Sequence, residues 1–216
     1  MENRKYFIVD VEVTGPTLRT DCILEIAILE LDWINDFWIA GRNYHRILPY
    51  RLRPDNAFAS TQHQELYHEC ANADDSIGHT PNHVRGSILE FFACCGCSER
   101  DQIRIMGWDA AAFDLPMLCK CLYLFTKEYR QPKYGNEQKE IIWGDYNYLV
   151  YEISGAFALA QDILGKDVKT LKEDALKVYD FPVPSGKPNR ALYDCYTEAK
   201  LLNGLIKLIR EFQNVD

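Results

Sequence analysis

Four acidic residues stand where a carboxylate is either costly or poised for chemistry. Asp10 and Glu12 interrupt an otherwise apolar run, FIVDVEV at 7–13. Residues i and i+2 of a strand share a face, about 6.6 Å apart along the backbone. The flanking Ile8, Val9, Val11 and Val13 read as a central strand covered on both faces. Two carboxylates buried on one face need a cation to neutralise them. A solvent-facing pair on a sheet edge is the alternative. Asp114 follows IMGWDAAAF and opens an apolar helical stretch. Alone it is an ordinary first-turn acid of the kind helix starts favour. Asp194 borders the helical stripe Ala191, Leu192, Cys195, Ala199 and Leu202. Taken as a set, the four offer oxygen ligands suited to hard divalent cations such as Mg²⁺ or Mn²⁺. Two such ions about 3.5–4 Å apart stabilise both the attacking and the leaving oxygen of a phosphoryl displacement.

The elements that must bring these acids together follow from pattern. KYFIVDVEV at 5–13 reads as a strand that Thr14-Gly15-Pro16 ends. Apolar runs at 22–31 and 37–50 follow closely, which predicts an antiparallel meander. Residues 51–80 are polar and irregular, with a short helix near 63–70. An amphipathic helix is predicted over 82–95, stopped at Gly96, and a short buried strand over 103–107. Helical spacing recurs over 114–128. A loop is expected over 130–139, a strand over 140–144, and helices over 145–163, 168–179 and 190–213. No internal repeat or linker interrupts the chain, so one α/β domain over 1–216, a mixed sheet flanked by helices, is the economical architecture.

Composition agrees with a globular enzyme or binding module. Hydrophobic residues make up 47% and charged residues 26% of the 216, which excludes a disordered or collagen-like chain. The formal charge of −8 argues against broad electrostatic coating of nucleic acid. It leaves open an enzyme that holds nucleic acid through bound cations, since these invert the local field. No apolar run reaches the roughly 18 residues of a membrane span. The N-terminus carries no signal-peptide pattern, so an intracellular, cytoplasmic or nuclear location is expected, with reduced thiols. Cys94, Cys95 and Cys97 form a C-C-x-C cluster and Cys119 and Cys121 a C-x-C pair. Only Cys94 and Cys97 have zinc-like spacing, and a second such pair is missing, so free thiols on or near helix faces, acting as small hydrophobes, are expected rather than a zinc adaptor.

With these residues assembled, the sequence resembles the DEDD superfamily of 3′→5′ exonucleases. The resemblance is carried by FIVDVEVTGP at 7–16, ILEIAIL at 23–29, GWDAAAFDLPML at 107–118, WGDYNYL at 143–149, TLKEDALKVY at 170–179 and NRALYDCYTEAKLL at 189–202. It implies an RNase H-like, mixed five-stranded sheet, with strands one to three antiparallel and strands four and five parallel. It implies Asp10, Glu12, Asp114 and Asp194 as metal-binding carboxylates for two Mg²⁺ or Mn²⁺ ions. Glu25 and Asp145 match positions often acidic in the family and are read as scaffold. The implied activity is hydrolysis at the 3′ end of single-stranded DNA or RNA, releasing nucleoside 5′-monophosphates. Thr14 and Gly15 would offer backbone N–H groups to the terminal nucleotide, and Trp108 and Phe113 would stack on a base or pack in the core.

Two positions depart from the family pattern. Members of the histidine subclass carry a His five residues before the last Asp, and here that residue is Asn189. The tyrosine subclass has Tyr four residues before it, where Arg190 stands. Asn189 cannot act as a base, and losing a positioned base costs about 10²–10⁴ in rate. Three readings of Asn189 stay open: a substitution of a natural His, an enzyme that works slowly or borrows a base such as His63 or His68, or a module that binds nucleic acid or protein without cutting. The intact set of four acids favours the first two. Asp109-Ala110 replaces the His-Asn common before the third acid, a change of contacts rather than of chemistry.

Overall fold

The computed structural model describes residues 4–48, 64–72, 80–97, 102–122, 124, 128–130, 140–142 and 147–214. Three strands open the chain: β1 (Lys5–Val13), β2 (Ile23–Ile34) and β3 (Phe37–Ile47). β2 and β3 are joined by Asn35 and Asp36, both left-handed (φ 50° and 67°), the conformation that two-residue hairpin turns require. Then come α1 (Gln64–Asn72), α2 (Pro81–Cys94), β4 (Gln102–Gly107) and α3 (Asp114–Leu122). Two short strands, β5 (Glu128–Arg130) and β6 (Glu140–Ile142), precede β7 (Asn147–Glu152). Three helices end the chain: α4 (Ile153–Leu164), α5 (Val168–Val178) and α6 (Ala191–Gln213).

The main sheet has the order β3-β2-β1-β4-β7. β1 pairs antiparallel with β2, and β2 with β3, while β4 and β7 run parallel to β1. This is the mixed five-stranded sheet expected, with one strand reassigned. The fifth strand is Asn147–Glu152, inside the stretch read as helix, whereas Glu140–Ile142 pairs with Glu128–Arg130 in a separate ribbon. β7 passes into α4 with no intervening residue, so no glycine or proline marks the change. Helix α3 also stops at Leu122, short of the predicted end at 128.

Alternation along β1 sorts its side chains between two layers. Phe7, Val9, Val11 and Val13 pack with α2 and α3, through Val84, Ile88, Phe92, Leu115, Met117 and Leu118. Ile8 faces the other layer, with Phe157 of α4, Leu171 and Ala175 of α5, and Ala191, Cys195 and Ala199 of α6. Asp10 and Glu12 share the parity of Ile8 and therefore point toward α6. That helix lies close. The Cys195 thiol donates to the carbonyls of Ile8 and Ala27, and Asn203 brackets Trp38 of β3, accepting from its N–H and donating to its carbonyl, each at 2.8 Å. Gly204 permits the α5–α6 crossing, because a Cβ there would lie 2.1 Å from the Ala175 carbonyl oxygen. Among the described residues no helix is long and apolar enough to cross a membrane.

Candidate active site

The site forms where β1 leaves its parallel neighbour. β4 pairs with β1 only from Lys5 to Ile8. Beyond that point the β1 edge is open, and its amides need other acceptors. Asp114, at the start of α3, supplies one: its Oδ1 accepts from the Val11 N–H at 3.0 Å across a separation of 103 residues. The carboxylate is 5% exposed, and burial pushes it up to about 7 even though backbone N–H groups hold it down.

On the same strand, Asp10 and Glu12 meet Asp194 from the first turns of α6. One carboxylate oxygen from each of the three lies within 4.8 Å of the others, a spacing at which they could hold a metal ion. Glu12 is pushed from its ordinary 4.5 up to about 8, first by burial and then by the charge of Asp194. Asp194 is raised to about 6 by burial, against the hydrogen bonds it accepts from the backbone of Asn189 and Arg190. Burial also raises Asp10 well above its usual range, with Asp114 its strongest charged neighbour. Oδ2 of Asp10 is buried without a hydrogen-bond partner. Without a cation the ionised forms of these carboxyls are disfavoured by burial and by one another, and Glu12 and Asp194 lie close enough to interact directly.

The start of α6 is fixed from β2. Glu25, opposite Glu12 in the sheet register, has 1% of its side chain exposed. It accepts from Arg190 through Nε and Nη2, from the Ala191 N–H at 3.0 Å, and pairs with His45 of β3. Burial would raise this carboxyl, but these donors hold it below its usual range. Glu25 thus caps the N-terminus of α6 with a negative charge from another element, where the helix leaves orphan N–H groups. Arg190 reaches on to Glu69 of α1, and Lys187 to Glu65 of the same helix. This is the scaffold role read for Glu25. The other scaffold acid, Asp145, lies outside the described residues, as does His63.

The remaining sequence candidates are placed as follows. Asn189 is exposed and left-handed (φ 60°). Thr14 is buried, with its N–H donating to the Cys22 carbonyl and its hydroxyl donating to Asp21. Gly15 is buried against Asp21, whose Oδ2 would lie 2.7 Å from a Cβ at that position. The Trp108 ring packs on Phe157 with centroids 5.5 Å apart, and Lys172 Nζ lies 3.9 Å from its centroid. Phe113 is partly buried against the α2–α3 layer. His68 is exposed on α1. Of the C-C-x-C thiols, Cys94 is exposed while Cys95 and Cys97 are buried.

Sequence reasoning missed three acids. Glu198 is 8% exposed, accepts from the Trp108 N–H at 3.2 Å, and lies within charge range of Asp10, Asp114 and Asp194. Its spacing of four from Asp194 was the available signal. Glu152 accepts from the Ala111 N–H, and Asp109 from the Ser154 hydroxyl at 2.7 Å; both raise Asp114 by their charge.

No family model and no curated protein sequence matches the chain. Solved structures do. Cell-death related nuclease 4 (CRN-4) superposes with a TM-score of 0.62 at 15% identity, over 94% of this chain and 64% of that one. The nuclease domain of 3′hExo, a DEDDh family member bound to rAMP, gives 0.57 at 14% identity, over 96% and 92%. The zinc-bound ExoI–ssDNA complex of E. coli gives 0.55 at 13% identity, over 96% of this chain but 41% of that one. This chain therefore spans less than two thirds of two of these three. At such identities the likeness is one of fold: the mixed α/β sheet with its flanking helices is shared with these nucleases.

Proposed function

We propose that this chain, which has the fold of the 3′-exonucleases, is a divalent-cation-dependent 3′→5′ exonuclease. It would hydrolyse phosphodiester bonds at the 3′ end of single-stranded DNA or RNA and release nucleoside 5′-monophosphates. The observation that carries this reading is the convergence of Asp10, Glu12 and Asp194 within 4.8 Å, from two elements far apart in sequence. The donor set is all oxygen, which suits Mg²⁺ or Mn²⁺. The orphaned Asp10 Oδ2 is an atom that a cation would satisfy.

Asp10, Glu12 and Asp194 would hold the cations, with Asp114 adding its charge beside Asp10. Bound divalent ions supply the Lewis acidity and charge neutralisation that phosphodiester hydrolysis needs. The protein's own part is positioning. Asp114 fixes the β1 backbone at Val11. Glu25 and Arg190 fix the first turn of α6 and with it Asp194. The backbone N–H of Gly15 would receive the terminal nucleotide; the absence of a Cβ there makes room for the Asp21 carboxylate that braces the turn. Trp108 and Phe113 would line the base. Asn189 holds the sequence position at which the histidine subclass carries its base and cannot take a proton, so slow turnover is expected.

The test is release of labelled 5′-mononucleotides from single strands in Mn²⁺, for this chain and for Asn189→His. The His variant should cut about 10²–10⁴ times faster. Asn189 itself favours a second reading, a module that binds single-stranded nucleic acid without cutting. That reading is right if both forms bind Mn²⁺ and an oligonucleotide yet neither cuts. If neither form binds Mn²⁺, the metal-dependent reading is wrong.

A further inference from the structure

The acids in the pocket outnumber the four that the family pattern supplies. Glu198 lies one turn beyond Asp194 on α6, and residues four apart on a helix share a face. That face meets the sheet where β1 and β4 part. The Glu198 Oε2 atom would lie 3.7 Å from a Cβ at Gly107, the last residue of β4, and the same Cβ would lie 3.1 Å from the Val9 carbonyl oxygen. The Glu198 carboxylate thus lies at the end of β4, beside the strand that carries Asp10.

The two oxygens of Glu198 differ. Oε1 accepts from the Trp108 N–H at 3.2 Å. Oε2 is buried with no hydrogen-bond partner, and so is Oδ2 of Asp10. Among the described residues Glu198 forms no ion pair; Lys172 lies over the Trp108 ring instead. Capping an amide explains Oε1 alone, and a neutral glutamine would do it as well. A buried carboxylate oxygen without a partner is costly, and two in one pocket more so, unless a cation joins them. The close group of Asp10, Glu12 and Asp194 offers one set of ligand oxygens. Asp114 already gives Oδ1 to the Val11 N–H. A second ion that relied on Asp10 and Asp114 would be poor in protein oxygens and would need substrate phosphate to complete its shell.

We propose that Glu198 is a fifth carboxylate ligand of this pocket, sharing a second divalent cation with Asp10 beside the one held by Asp10, Glu12 and Asp194. The inference rests on the metal-dependent reading given above. It implies that the two-cation state forms before nucleic acid arrives.

The experiment is calorimetric titration of the full chain with MnCl₂, without nucleic acid, together with electron paramagnetic resonance of the loaded protein. Two Mn²⁺ per chain are expected, with the spectrum of a spin-coupled pair. Glu198→Gln should leave the tighter ion unchanged, weaken the second at least about tenfold, and abolish the coupled signal. Thermal unfolding in EDTA checks that Glu198→Gln is folded, since glutamine can still accept from Trp108. If that variant does not fold, Glu198→Asp, which keeps the charge but shortens the reach, must show the same selective weakening. Two ions of unchanged affinity in the variant, or a single ion in the parent that is indifferent to residue 198, overturn the proposal alone. A parent chain that binds no Mn²⁺ overturns the metal-dependent reading beneath it.

Discussion

Removing metal should make this protein less stable as pH rises, opposite to the acid lability of most folded chains. Glu12 has a carboxyl held at about 8 in the folded protein, against an ordinary 4.5. The folded state therefore binds more protons than the unfolded state between those values, and stability falls with pH across that window. Below about pH 4 both states are protonated and the penalty vanishes; above pH 8 it is fully present. At about 1.4 kcal/mol for each tenfold change, Glu12 alone lowers metal-free stability by about 3–4 kcal/mol between pH 5 and pH 8. Asp114 (about 7) and Asp194 (about 6) act in the same direction. They are not added, because these acids raise one another. Glu25 works the other way: its carboxyl is held below its ordinary 4.5, so its contribution is present above that value and lost as pH falls below it. For a chain of this size 1 kcal/mol moves the melting temperature by about 2–4 °C. Scanning calorimetry in EDTA should therefore show a fall of about 10 °C from pH 5 to pH 8. Millimolar Mn²⁺ should reverse it, more strongly at pH 8, because binding displaces protons. Glu12→Gln should flatten the metal-free profile. A metal-free melting temperature that is level or rises over this range would refute the claim that these carboxylates face one another.

Other outcomes follow from the scaffold. Arg190→Ala strips Glu25 of its bidentate partner and leaves a carboxylate with 1% side-chain exposure short of donors; urea unfolding should show a loss of about 3 kcal/mol, and Arg190→Lys should recover little of it because a point charge cannot fork between Glu25 and Glu69. Gly204→Ala would place a methyl 2.1 Å from the Ala175 carbonyl oxygen; the α5–α6 crossing must open, at a cost of about 3 kcal/mol in the same assay.

The parts of the fold that were legible in the sequence are those where local pattern and tertiary role agree. The acids of β1 stood out because everything around them is apolar, and the long stripe of α6 is continuous from Ala191 to Leu205. The fifth strand failed for a local reason. Asn147–Glu152 runs directly into Ile153–Leu164, so the helical periodicity of the second segment spreads backward over the first, and its edge position leaves Leu149 and Tyr151 exposed. The pair β5 and β6 have three residues each, too few for any period to show. Glu198 was hidden differently. An acid at i+4 from another reads as a solvated helix face, but this one lies against the end of β4, a strand distant in sequence, at Gly107 and the Trp108 N–H. Pattern within one element cannot report what a distant element packs against it.

Asn189 has a part of its own through its backbone, independent of the side chain. Its left-handed backbone (φ 60°) precedes the extended Arg190 (φ −129°), and the N–H groups of both donate to Asp194. The turn therefore holds a proposed metal ligand in place whatever the side chain at 189 can do. Asn, Asp and His adopt this conformation far more readily than other residues with a Cβ, and a β-branched residue does so at real cost. Asn189→His should then fold with stability close to the parent. Asn189→Val should lose about 1–2 kcal/mol and bind Mn²⁺ more weakly, because the turn that feeds Asp194 relaxes. Asn189→Gly, with no Cβ and no side-chain polar group, should keep both properties. Urea unfolding and Mn²⁺ calorimetry on the three variants separate the backbone's part from the side chain's. A valine variant as stable and as tight for Mn²⁺ as the parent would show that the turn at 189 contributes nothing to the site.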